Sequence, residues 1–74
     1  MKDLVGKIVD VYFFRKGYSH LEFRGKISRV EGHLLFLINP HVRILVPAGW
    51  LPYESKEIAI NTKAMTFERI EIIK

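Results

Sequence analysis

The chain has no cysteine, no glutamine and only two asparagines, Asn39 and Asn61. Without thiols, disulfides and thiolate zinc sites are both excluded, so a small domain must rely on packing, a partner or self-association. Long apolar runs are missing as well. The longest, Leu34 to Ile38, falls far short of the roughly 20 residues that cross a bilayer. The opening Met1-Lys2-Asp3-Leu4-Val5-Gly6 is not followed by a signal-type apolar core, so the expectation is a soluble, cytoplasmic protein with no membrane role. Sustained helical periodicity is absent; residues 2–6 and 62–66 could each form one helical turn at most.

Catalytic constellations are lacking too. Ser19, Ser28 and Ser55 have no base and orienting acid nearby, and no glycine-rich loop precedes a helix. The carboxylates are solitary or fall on exposed strand parity, which is poor material for general acid–base work. His20, His33 and His41 lack the spacing of a zinc site. The expectation is a protein that is not an enzyme, with no cofactor, no metal and no small-molecule substrate.

What is present is 74 residues, 49% of them hydrophobic, which excludes disorder and makes one domain over residues 1–74. The net charge is +4, and it is not evenly spread. Residues 11–29 hold Arg15, Lys16, Arg24, Lys26 and Arg29 against Glu22 alone, while the rest of the chain balances. A local surplus of this kind attracts phosphates, because charges more than roughly 8–10 Å apart are screened from one another. The alternative is that such charges only keep exposed strand faces soluble. Scarce amides with frequent Ile, Lys and Glu suggest a thermophilic source.

Period-two alternation runs through the chain. Val9, Val11 and Phe13 alternate with Asp10 and Tyr12, predicting a strand over Lys7 to Phe14. Leu21, Phe23, Gly25 and Ile27 oppose Glu22, Arg24, Lys26 and Ser28, predicting a half-buried strand with one basic face. Val30 then falls on the polar parity, so a bulge is expected near Ser28-Arg29. Gly25 in mid-strand suits a curved ribbon passing close to another backbone. Glu31-Gly32-His33 reads as a turn, Leu34 to Ile38 as a strand buried on both sides, and Asn39-Pro40 as a further turn. Val42 to Val46, Ile58 with Ile60, and Phe67 to Ile73 read as the remaining strands. Phe13, Phe23, Phe36 and Phe67 fall on apolar parity and read as core. Five or six short strands, one of them bent, predict an all-β fold: a small, strongly bent barrel that removes exposed edges.

Phe23-Arg24-Gly25-Lys26-Ile27, followed by Val30-Glu31-Gly32-His33-Leu34, resembles the first signature of the Sm and Sm-like RNA-binding proteins, with Gly6 to Val11 similar to their first strand. The resemblance implies a five-stranded bent barrel, assembly into a homo-oligomeric ring, and RNA bases held between the His33 loop and the second-signature loop. That second signature falls at Ile60-Asn61-Thr62, where the family has Arg and Gly after the apolar residue. The family's base-contacting Asn is Leu35 here, and the loop from Gly17 to Gly25 is longer than usual. Gly25 to Val30 with Leu34 to Leu37 also resembles the KOW segment of SH3-like barrels, which work singly or as modules.

Two functions follow. In the first, Arg15, Lys16, Arg24, Lys26 and Arg29 attract phosphate, and His33, Asn61 and Lys63 contact bases of RNA or another single-stranded nucleic acid. Trp50 and Tyr53, in a proline-bordered segment, then make oligomer or partner contacts. In the second, the barrel is a protein-interaction module whose charge serves only solubility.

Overall fold

A computed structural model describes residues 2–14, 21–43 and 49–74. A single turn of 3₁₀ helix, Lys2–Leu4, leads into six strands: β1 Ile8–Phe13, β2 Leu21–Glu31, β3 Leu34–Arg43, β4 Leu51–Pro52, β5 Glu57–Asn61 and β6 Phe67–Ile72. All ladders are antiparallel, in the order β4-β3-β2-β1-β6, with β5 also on the outer side of β3. The fold is all-β, as the alternation predicts.

The sheet is curled. Val9, Val11, Ile27, Leu35, Leu37 and Ile60 are buried together, and Ile58 of β5 and Ile70 of β6 both pack against them. These two strands lie at opposite ends of the strand order, so the apolar face must wrap round on itself to bury both. Gly6 N donates to Ile27 O at 2.8 Å and Ile27 N to Lys7 O at 2.9 Å, fastening the leading turn to β2.

Bulges produce the bend. On β2, Ile27 faces Leu37 and Arg29 faces Phe36, leaving Ser28 as the extra residue, with Ser28 Oγ 3.3 Å from Phe36 O. This is the phase slip expected near Ser28-Arg29, and it turns Val30 back to the core. On β3, Asn39 and Pro40 together oppose Gly25 alone. A Cβ at Gly25 would lie 3.2 Å from Ile38 O and 3.2 Å from Leu37 Cβ, so the bare backbone is what lets β3 approach this closely.

The structure alters three expectations. Asn39-Pro40 is not a turn that ends a strand: Asn39 takes a left-handed φ of 49° inside β3, and buried Pro40 sits at the bulge, where no ladder N–H is needed. Leu34 to Ile38 is not buried on both sides, since Leu35 and Leu37 alone are wholly buried. Phe36 faces outward, with the Arg29 guanidinium 4.0 Å above its ring centroid. The far part of the expected strand Val42 to Val46 lies outside the described residues.

Candidate nucleic-acid interface

Two turns meet at one end of the molecule. Gly32, at a φ of 57°, makes the tight β2–β3 turn that presents His33. Leu34 pairs with Asn61, which brings the end of β5 alongside. Thr62 N and Thr62 Oγ1 both donate to the His33 carbonyl, at 2.9 and 3.0 Å. Lys63 N donates to Asn61 Oδ1 at 2.9 Å, and Ala64 N to Asn61 O at 3.0 Å, rounding off the second turn. Three residues singled out in sequence, His33, Asn61 and Lys63, therefore share one exposed tip. Leu35 is core here, so that position supplies packing rather than a polar contact.

The tip has usable chemistry. Asn61 Oδ1 accepts from the Lys63 amide, which orients the side chain, and its NH₂ offers two donors. Exposed Lys63 adds a cation, and His33 an aromatic ring with two nitrogens. Arg29 stands on the same hairpin, but its Nε is 2.7 Å from Glu31 Oε2.

The basic face of β2 differs from what its sequence suggests. Arg24 is not an unengaged phosphate anchor: its Nε donates to Asp10 Oδ1 at 2.6 Å and its Nη2 to Asp10 Oδ2 at 2.9 Å. The Asp10 side chain is only 5% exposed, and this bidentate pairing is what makes a buried carboxylate tolerable on a strand otherwise rich in apolar residues. The same bonds raise the Arg24 pKa above its ordinary value, against the opposing effect of burial. One row along, Arg43 Nη2 lies 2.7 Å from Glu22 Oε2. The Trp50 ring lies under both cations, 4.4 Å from the Arg24 guanidinium carbon and 4.7 Å from that of Arg43. Trp50 is thus engaged within its own chain. Beyond it, Arg69 covers Tyr12 at 4.1 Å and pairs with Glu71, whose Oε1 accepts from the Tyr12 hydroxyl at 3.2 Å. Burial, then Glu71, pushes the Tyr12 pKa up, and Glu71 raises that of Arg69.

Lys26 is exposed and makes no ion pair among the described residues. It rims a cleft of about 290 Å³ with Arg24, Gly25, Asn39 and His41. Tyr53 lies elsewhere, edge-on to Phe23 at 5.5 Å, beside an apolar recess of about 450 Å³ that Phe13, Leu21 and Ile58 also line. Arg15 and Lys16 lie outside the described residues.

Sequence reasoning passed over Asp10, Arg43 and the cleft residues Asn39 and His41. Asp10 lies on solvent parity, and nothing local shows that Arg24 stands opposite it. His41 of β3 faces Arg24 of β2 across their ladder only because the bulge at Asn39-Pro40 sets that register. Among the described residues no group of His, Asp or Glu could hold a metal ion, and no helix is long and apolar enough to cross a membrane. No protein-family model, curated protein or solved structure matches this chain.

Proposed function

We propose that this protein is a small Sm-like β-barrel that binds single-stranded RNA at the His33–Lys63 tip and acts as a homo-oligomer. The observation that carries the reading is the pair of bonds from Thr62 to the His33 carbonyl, which fixes two sequence-distant turns side by side. Between them, Asn61 donates to a base carbonyl, the His33 ring stacks or hydrogen-bonds, and Lys63 takes the phosphate. Lys26 extends the cationic track, while Arg24 and Arg29 contribute through faces their carboxylate partners leave open. Self-association uses the sheet edges, where Leu51 of β4 is 61% exposed and Ile72 of β6 is 56% exposed.

The test is RNA affinity against salt. With about three phosphates neutralised at a slope near −0.7 each, binding of a single-stranded oligomer falls by roughly 100-fold between 0.05 and 0.5 M salt. Combining His33→Ala with Lys63→Ala should weaken it by at least about tenfold, as loss of one stacked base and one phosphate contact does. Binding that ignores salt, or none at all, refutes the proposal.

A second reading, a protein-interaction module, is favoured by the ion pairs of Arg24 with Asp10 and Arg29 with Glu31, which remove much of the apparent charge surplus. It predicts that Trp50→Ala disrupts assembly while Lys26→Ala changes nothing.

A further inference from the structure

The Gly25 cleft uses none of the tip residues His33, Asn61 and Lys63, and shares Arg24 and Lys26 with the cationic track proposed to lead to the tip. It exists because β3 carries one residue more than β2 at this point, spreading Ile38 and His41 apart while Arg24 and Lys26 keep ordinary strand spacing. Its volume, about 290 Å³, is near the roughly 300 Å³ lower end of ligand pockets. Ile8 and Ile38 line it on either side of Lys26, and the other side chains that line it are Arg24, Asn39 and His41.

The donors and acceptors of these side chains are fixed by their other bonds. Arg24 commits Nε and Nη2 to Asp10, leaving Nη1 without a partner among the described residues. Because both Asp10 oxygens accept from Arg24 and the side chain is buried, the acid does not oppose an anion in the cleft as an open carboxylate would. Lys26 offers three ammonium donors. His41 Nδ1 lies 3.2 Å from Asn39 O; a carbonyl only accepts, so Nδ1 carries the proton and Nε2 of the neutral ring is left as an acceptor.

We infer that this cleft binds one nucleoside 5′-monophosphate unit: phosphate on Lys26 Nζ and Arg24 Nη1, a ribose hydroxyl donating to His41 Nε2, and the base against Ile8 and Ile38. The cations Arg24 and Lys26, a lone-pair acceptor on His41, and apolar lining from Ile8 and Ile38 supply one partner for each of the three parts of a nucleotide. Inorganic phosphate would use only the first. The unit is either a free nucleotide or part of a strand, and both sources present this chemistry.

The experiment is titration of AMP into the intact, isotope-labelled protein, following backbone amide shifts and Trp50 fluorescence, since Trp50 stacks on the Arg24 that receives the phosphate. Saturable shifts centred on Gly25, Lys26, Asn39 and His41 are expected, at millimolar affinity or better. Lys26→Glu, at an exposed position that leaves distant amides unmoved, should weaken AMP by at least about tenfold, the loss of one charge-assisted contact. His33→Ala should leave it unchanged, so this proposal and the tip proposal can fail separately. Displacement of AMP by an oligoadenylate identifies a strand unit as the occupant, and AMP binding without displacement identifies a free nucleotide. The inference is overturned if no saturable shift appears by about 10 mM, if shifts centre on the tip, if adenosine binds as well as AMP, or if Lys26→Glu has no effect.

Discussion

Removing Arg24 should destabilise the protein more than removing Asp10, although the two break the same bonds. Arg24→Ala strands a carboxylate that is 5% exposed, whereas Asp10→Ala leaves a guanidinium that is 38% exposed and can turn to water. Breaking a buried pair from the side that leaves a buried charge costs about 3–5 kcal/mol. The two hydrogen bonds to a charged group would each be worth about 1.5–3 kcal/mol, but a partner that rehydrates recovers much of that, so Asp10→Ala should cost about 1–2 kcal/mol. Arg24→Ala also removes the cation over Trp50, about 0.5–1 kcal/mol at an exposed site.

The double variant Asp10→Ala/Arg24→Ala carries no buried charge and should be more stable than Arg24→Ala alone. As a control, Arg29→Ala breaks a pair whose side chains are 55% and 57% exposed, and should cost under about 1 kcal/mol through that pair. Urea denaturation followed by far-ultraviolet circular dichroism reads these differences. With a slope of about 1–2 kcal/mol per molar, the two single variants should differ by roughly 1 M or more in midpoint. Equal midpoints for the single variants, or a double variant weaker than Arg24→Ala, would refute the reasoning about the buried acid.

Two other outcomes follow from the packing and the outer face. Leu37→Ala opens a cavity at a wholly buried site and should cost about 2–5 kcal/mol, a large share of the roughly 4–11 kcal/mol expected of a chain this size; a urea midpoint within error of the parent would contradict the core assignment. The Tyr12 pKa is raised by burial and by Glu71, so the folded chain holds the phenolic proton more tightly than the unfolded one. That contribution is complete below the unfolded value of about 10 and is lost as pH rises through the folded value. Carbon-13 titration of the Tyr12 ring should place its ionisation above the ordinary tyrosine range, and Tyr12→Phe should lessen the alkaline decline in stability. A Tyr12 midpoint at or below the ordinary value would show that neither burial nor Glu71 acts on it.

The curled ribbon was readable in sequence because its causes are local. Alternation from Leu21 to Ile27, the misplaced Val30 and the lone Gly25 each mark a position where the backbone must bend, and each bends there. The meeting of the His33 turn with the Asn61 turn was expected from the resemblance to Sm-like proteins alone, because strand alternation does not say which turns end up side by side. Asn39-Pro40 misled because proline usually ends a ladder, and only the facing Gly25 creates a bulge where its missing N–H costs nothing. Phe36 misled because an apolar residue in an apolar run looks buried, whereas here a guanidinium covers it.

The charge pattern is the most instructive case. Residues 11–29 carry a real surplus along the chain, yet Asp10 stands one residue before that window and Glu31 two residues after it. Those are the acids that hold Arg24 and Arg29. Arg24 finds its acid across the ladder, 14 residues away, whereas Arg29 finds Glu31 two residues further along its own strand. Counting charge along the chain therefore overstates what β2 offers to a phosphate. Lys26 is the cation for which the count and the described structure agree, because the residues across from it on the neighbouring strands are Ile8 and Ile38, with no carboxylate in its row on either strand. Its substitution, more than that of either arginine, separates binding from stability.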